Sequence, residues 1–306
     1  MATDDRAHGH LWEAYYSRFS DFSEAKVRDG AHPRALLHPE PAAHAVVLGH
    51  GLAASPFMLM DTALHLHEKH GFDVYLPLLD KHGLKKPNGM KGVTLEAWKA
   101  NMEFGLEAAA ERCPTVSVGG VSTGAALAFF QAATHPVING TLLLFSAALG
   151  LADGWLNGKT KQQLLQTPLG YIMDVPTPLV QDNPYAYAHV DLDGARELAR
   201  LIDEIDELWP RFATSASFPI PVFAAHSSAD DVTDQARVQD LSDLVKPNRL
   251  TLYQIEQQHQ VGHAAIVFRT PIRSEHGEIV QPASPCFAAM VDHLDTFLAE
   301  HCATSP

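Results

Sequence analysis

The sequence predicts an α/β domain built on a mainly parallel, doubly wound sheet, with a helical segment inserted between two core strands. Three observations carry that prediction. Up to about Ser146, short runs that are apolar at successive positions alternate with longer stretches of helical spacing. That is the rhythm of buried parallel strands joined by right-handed crossovers. The rhythm stops near Gly150 and resumes near Ile220. Finally, the residues with chemical potential follow directly on the predicted strands, at the ends where open α/β sheets place their sites.

Taken in order, residues 1–34 read as an N-terminal arm, with a short amphipathic helix over Leu11-Trp12-Glu13-Ala14-Tyr15-Tyr16. Ala35-Leu36-Leu37 and the run from Ala43 to Leu48 are strands, the second apolar enough for the sheet interior. Phe57 to His70 has helical spacing and stops at Gly71, a suitable C-cap. Phe72 to Pro77 is the next strand. Thr94 to Arg112 is a long helix that Thr94 can cap. Val116 to Val121 and Gly140 to Ser146 are buried strands, with a helix between them that ends near His135-Pro136.

Residues 151–217 contain no buried strand. Prolines, scattered aromatics (Trp155, Tyr171, Tyr185, Tyr187, Trp209, Phe212) and an acidic amphipathic helix from Asp193 to Trp209 mark the segment as a helical cap over the sheet edge. The core, residues 35–150, resumes at 218 and runs to 306. It adds a strand at Ile220 to Ala225, a helix from Thr233 to Val245 and a last buried strand at Leu250 to Ile255. An irregular excursion from Arg269 to Pro285 then turns as a hairpin at Glu275-His276-Gly277, and a closing helix spans Ser284 to His301.

The chain has 306 residues, 46% hydrophobic and 19% charged, with a net charge of −14. A core of useful size follows, and no basic patch exists to neutralise phosphates, so nucleic acid and anionic membrane are excluded as partners. Cys113, Cys286 and Cys302 form no even framework and fit free thiols in a reducing compartment. Residues 1–30 lack a signal-peptide core, and no run reaches the ~20 apolar residues of a membrane span. A soluble cytoplasmic protein is expected; its oligomeric state is not legible. Among the 18 histidines, His65, His67 and His70 cluster, but positions i, i+2 and i+5 do not share a helical face. No metal is expected there.

The chemistry concentrates at Gly120-Val121-Ser122-Thr123-Gly124, which sits between a predicted strand and a helix. A serine on such a tight turn presents its Oγ, and glycines two residues either side give the turn room. The pentapeptide alone is a weak signal; the strand before it and the helix after it strengthen it. The free N–H groups at the new helix start point where an oxyanion could sit. After the earlier strand, Gly49-His50-Gly51-Leu52 can turn closely around a small ligand, leaving the Leu52 N–H free to donate inward. Attack on an acyl carbon also needs a base and a carboxylate to orient it. Ser122 is followed by Asp230 or Asp231, and then by His259, His263, His276, His293 and His301.

These motifs resemble those of the α/β-hydrolases, in the bacterial carboxylesterase and monoacylglycerol-lipase-like branch. The likeness runs from about Ala35 to the C-terminal helix. It rests on Gly49-His50-Gly51-Leu52, the Ser122 elbow, His226-Ser227-Ser228-Ala229-Asp230-Asp231-Val232 and Gly262-His263. The family writes its acid loop H-G-x-x-D-x-V, so the resemblance selects Asp230, although Ser227 replaces the glycine. It likewise selects His263, and it implies an oxyanion hole from the N–H groups of Leu52 and Thr123. Asp80-Lys81-His82-Gly83 departs from the Gly-His-Gly turn of many relatives, which puts the local loop shape in question.

The resemblance therefore implies an α/β-hydrolase fold and a serine carboxylesterase or lipase-type enzyme. Ser122, Asp230 and His263 would cleave short- to medium-chain or monoacylglycerol-like esters through an acyl-enzyme, with no metal or organic cofactor. Three alternatives stay open: an aminopeptidase or amidase using the acids of the cap helix (Glu197, Asp203, Glu204, Asp206, Glu207), an acyltransferase, and a non-catalytic ligand-binding protein.

Overall fold

The computed structural model describes residues 9–19, 23–86, 89–152, 177–178 and 182–302. Its centre is a sheet of seven strands: β1 (Arg34–Leu36), β2 (His44–Gly49), β3 (Asp73–Leu76), β4 (Thr115–Val121), β5 (Leu142–Phe145), β8 (Val222–Ser227) and β9 (Leu250–Ile255). Their spatial order is β1-β3-β2-β4-β5-β8-β9. β1 is antiparallel to β3; every other pairing in this sheet is parallel. The chain lays β3 to one side of β2, then crosses back to place β4 on the other side. That reversal opens a crevice beyond the carboxyl ends of β2 and β4.

The continuous apolar runs of the inner strands are explained by burial on both faces. Successive side chains point to opposite sides. Val47, Val118 and Leu144 join one core with Trp98, Leu106, Phe129 and Ile202. Their neighbours Val46, Leu48, Leu143 and Phe145 join the opposite core with Leu59, Leu66, Met290 and Leu294. The first layer is supplied by helices α3 (Leu95–Arg112), α4 (Thr123–Thr134) and α5 (Leu192–Ala213), the second by α2 (Met60–His70) and α8 (Phe287–His301).

Local chemistry sets the helix limits. Thr94 caps α3 by accepting the Ala97 N–H at 3.2 Å, and Asp191 caps α5 by accepting the Asp193 N–H at 3.0 Å. Gly71, left-handed at φ 68°, ends α2 and returns its N–H to the last turn. The arm helix α1 (Gly9–Arg18) is held by Tyr15, which is fully buried against Phe104 and donates its hydroxyl to the Leu78 carbonyl.

Two expectations need adjustment. The helix expected over Thr233 to Val245 is two short pieces, α6 (Gln235–Gln239) and α7 (Leu241–Leu244). Asp240, at φ −62° and ψ −9°, breaks the run and turns Leu241 and Leu244 into the core. β9 is an edge strand, so it is not buried throughout; Leu252 on it is 43% exposed. The excursion after Arg269 forms the hairpin expected there, of β10 (Ile272–Arg273) and β11 (Ile279–Gln281), turning through Gly277 at φ 84°. Between β5 and β8 the chain adds α5 and a two-stranded pair, β6 (Thr177–Pro178) with β7 (His189–Val190). Trp155, Tyr171 and most of residues 151–181 lie outside the described residues.

Candidate active site

Ser122 joins β4 to α4 in one residue, at φ 56° and ψ −119°. A non-glycine residue there is strained by roughly 1–3 kcal/mol and must be held by its surroundings. The Ser122 N–H donates to the Phe145 carbonyl at 3.0 Å. Its own carbonyl accepts the N–H groups of Ala126 at 3.1 Å and Ala148 at 3.2 Å. The glycines are required by approach rather than by φ. A Cβ on Gly124 would run into the carbonyls of Gly49 and His50, and one on Gly120 into that of Gly49. β2 and β4 pair at Gly49 and Gly120, so the loop after β2 is drawn against the serine.

That loop is shaped by His50. Its ring is fully buried, with Nδ1 2.9 Å from the Gly51 carbonyl and Nε2 accepting the Leu79 N–H at 3.0 Å. Because Nε2 accepts, Nδ1 must be the protonated nitrogen that donates to Gly51. In a trans peptide the N–H points opposite to the carbonyl. Fixing the Gly51 carbonyl therefore also fixes the direction of the Leu52 N–H. Ala54 N–H adds a second bond to the same carbonyl at 3.1 Å. Within the described residues the N–H groups of Leu52 and Thr123 donate to no acceptor, and Thr123 is the first residue of α4.

The loops after β8 and β9 bring up the other two groups. His263 Nε2 lies 2.8 Å from Ser122 Oγ, and its Nδ1 lies 2.7 Å from Asp230 Oδ2. An ionised carboxylate only accepts, so Nδ1 carries the proton and Nε2 accepts from the serine hydroxyl. The Asp230 side chain is completely buried. Its Oδ1 takes the N–H groups of Val232 at 2.9 Å and Thr233 at 3.2 Å; Oδ2 also takes the Thr233 hydroxyl at 2.8 Å. Burial pushes the Asp230 carboxyl up, but the hydrogen bonds and charge of His263, with the bonds from Val232 and Thr233, outweigh it and hold the group at about 2.

The competing residues are elsewhere. Asp231 is exposed beside Asp230, and His259, His276 and His293 are exposed on the surface. Ser227, in place of the family's glycine, turns its hydroxyl onto the Ala229 N–H at 3.2 Å and so stabilises the acid loop. The Asp80-Lys81-His82-Gly83 loop buries His82 edge-on against His50, ring centroids 4.9 Å apart. Burial lowers the His82 pKa to about 4, and that of His50 falls well below its ordinary value, also through burial.

A cavity of about 490 Å³ opens over Ser122 and His263. Its wall is mainly apolar, with Leu52, Met58, Val121, Val267 and Val280; Asn183, Gln260 and Gln281 are polar. No carboxylate lines it among the described residues. Asn183 and Gln281 are 3.4 Å apart, one before α5 and the other on β11. Sequence reading missed both, since nothing local signals a contact across that separation. Tyr187, one of the aromatics named in the cap segment, lines the cavity, and its N–H donates to the Ala53 carbonyl at 2.8 Å behind the His50 loop.

No protein-family model matches the chain. Over 178 residues, 58% of this chain and 67% of the relative, it is 30% identical to a thermostable monoacylglycerol lipase of Bacillus sp. (strain H-257). Its fold resembles the monoacylglycerol lipase of Paleococcus ferrophilus, with TM-score 0.64 and 15% identity over 88% of this chain and 98% of that one. A soluble variant of the Saccharomyces cerevisiae monoglyceride lipase superposes with TM-score 0.69 and 12% identity, covering 89% and 92% of the two chains. The chain belongs to the α/β-hydrolases, in their monoacylglycerol-lipase-like branch of ester-hydrolysing enzymes.

Proposed function

We propose that the chain hydrolyses neutral carboxylic esters of medium-chain acyl groups, with Ser122 as nucleophile, His263 as base and Asp230 as its orienting acid. The observation that carries this is the unbroken hydrogen-bonded run Ser122, His263, Asp230 beneath a largely apolar cavity with no carboxylate, lysine or arginine among its described lining residues. His263 takes the serine proton as Oγ attacks the ester carbonyl. The ionised Asp230 holds the imidazole tautomer and stabilises the imidazolium. The N–H groups of Leu52 and Thr123 receive the oxyanion, and each such donor contributes roughly 3–4 kcal/mol in the transition state. His263 then protonates the departing alcohol, and water repeats the sequence on the acyl-enzyme.

The cavity bounds the substrate. Its described walls enclose about 490 Å³, within the range of cavities that take drug-sized ligands. That admits an octanoyl or decanoyl group with a small polyol, whose hydroxyls would meet Asn183 and Gln281. Residues 151–217 would act as the cap over this cavity.

The aminopeptidase alternative needs a carboxylate facing the substrate amine. None of Glu197, Asp203, Glu204, Asp206 and Glu207 on α5 lines the cavity, and three of them are engaged with neighbours. Glu197 accepts the Leu95 N–H at 2.7 Å and pairs with Arg200 at 2.8 Å, Glu204 pairs with Lys99, and Asp206 pairs with Arg237.

The test is a p-nitrophenyl ester series from acetyl to palmitoyl, with wild type and Ser122→Ala. Turnover peaking between hexanoyl and decanoyl, and reduced by roughly 10⁴–10⁶ in the variant, is expected. Ser122→Ala retaining more than a few per cent of the activity would rule out Ser122 as nucleophile.

A further inference from the structure

His65 and His70 are five residues apart on α2, roughly 140° around its axis. By spacing alone they do not share a face. They nevertheless converge, because Asp295 on α8 reaches in between them. His65 Nε2 lies 2.7 Å and His70 Nε2 2.6 Å from the same oxygen, Asp295 Oδ1. Lys69 Nζ holds the other oxygen at 2.6 Å. The ligand atoms of the two histidines and the aspartate all lie within 4.8 Å of one another. His67, third in the run, turns away: its Nδ1 meets the Phe72 carbonyl at 2.8 Å and its ring stacks on His38.

This arrangement is close to what one metal ion needs. Two imidazoles bound through Nε2 to a tetrahedral ion at about 2.05 Å have ring centroids roughly 5 Å apart, and adjacent donor atoms about 3.3 Å apart. The His65 and His70 centroids are 5.6 Å apart. The nitrogen–oxygen distances need to open by only about 0.6 Å, a small rotation for side chains still partly open to solvent. Both histidines present Nε2, and the carboxylate completes a two-nitrogen, one-oxygen donor set of the kind that zinc takes with a fourth position left to water.

We propose that His65, His70 and Asp295 form a binding site for a divalent transition-metal ion of the zinc type, which clamps α2 to α8. The site is independent of the hydrolytic one. His70 ends α2 just before β3 begins, so it sits at the amino ends of the strands, whereas Ser122 lies beyond their carboxyl ends. The fourth position is available to water or a solvent solute. Lys69 is the resident competitor, for its ammonium must leave the carboxylate when the ion enters. Its side chain is 55% exposed and free to swing outward.

The experiment is calorimetric titration of chelator-treated full-length protein with zinc chloride at pH 7.5, with thermal unfolding measured with and without the ion. Wild type should bind one ion with micromolar affinity and unfold at a higher temperature when loaded. The double variant His65→Gln/His70→Gln should bind at least tenfold more weakly and lose the thermal gain. Lys69→Met, which removes the competitor, should bind several-fold tighter. All three proteins should hydrolyse p-nitrophenyl hexanoate within twofold of one another, which also reports that the variants are folded. Absence of saturable binding would overturn the proposal, as would equal affinity in the double variant or weaker binding in Lys69→Met.

Discussion

Replacing His50 with phenylalanine tests how the loop proposed to receive the oxyanion is held. The ring volume is kept, and His82 offers an edge-on neighbour at 4.9 Å, so packing changes little. Both hydrogen bonds of the imidazole are lost. The Leu79 N–H, bonded to Nε2 at 3.0 Å, is left buried and unpaired, at about 1–3 kcal/mol of stability. The Gly51 carbonyl loses the Nδ1 donor at 2.9 Å but keeps the Ala54 N–H at 3.1 Å. The Gly51-Leu52 peptide is then free to tilt, and the Leu52 N–H tilts with it.

Complete loss of one oxyanion donor lowers kcat by about 10²–10³. A tilted donor loses part of that, so a fall of roughly ten- to a hundredfold is expected. KM should stay within about threefold, because the oxyanion exists only on the way to the tetrahedral intermediate. Steady-state kinetics on p-nitrophenyl hexanoate and a urea melt at pH 7.5 measure the two effects separately. A variant less stable by the stated amount but with kcat within twofold of wild type would refute the reasoning. His50 would then support the fold without aiming Leu52.

Two further outcomes are expected. Asp230→Asn puts an amide donor among four donors, and the simplest relief is the wrong tautomer of His263; kcat should fall by about 10⁴, whereas Asp231→Asn should leave it within twofold in the same assay. Stability should begin to fall below pH 6.5. The native His82 pKa of about 4 lies below the ordinary 6.5, so from 6.5 downward the unfolded chain binds a proton that the native state refuses, removing up to about 3 kcal/mol by pH 4. The paired carboxylates Asp230 and Asp295, both held at about 2, work in a lower window: their stabilisation is complete above about 4 and is lost only as pH falls toward 2. Urea melts at pH 7, 5.5 and 4.5 should therefore show a shallower decline for His82→Phe than for wild type; equal slopes would remove His82 from the account.

What could be read from the sequence, and what could not, divides along a physical line. Wherever one local pattern decides the outcome, reading worked. The apolar runs of β2 and β4 must be buried on both sides, Thr94 caps the helix it precedes, and Gly71 ends α2 because it alone accepts φ 68° cheaply. The Ser122 turn belongs to the same class, since Gly120 and Gly124 are needed where Gly49 comes close. The choice of Asp230 over Asp231 came from resemblance, and the geometry gives it a reason: Asp230 accepts the N–H groups two and three residues on, which draws its side chain inward and leaves Asp231 outside. Reading failed where distant segments meet. Leu250 to Ile255 has the composition of an interior strand and lies at the edge because no further strand follows it in the sheet. Asp240 interrupts an amphipathic run whose period alone predicts one helix. His65 and His70 do not share a helical face, and only Asp295, more than two hundred residues later, brings their nitrogens to one oxygen. Periodicity describes a segment against a uniform core. It carries no information on a single side chain arriving from another helix, and functional sites are assembled from such arrivals.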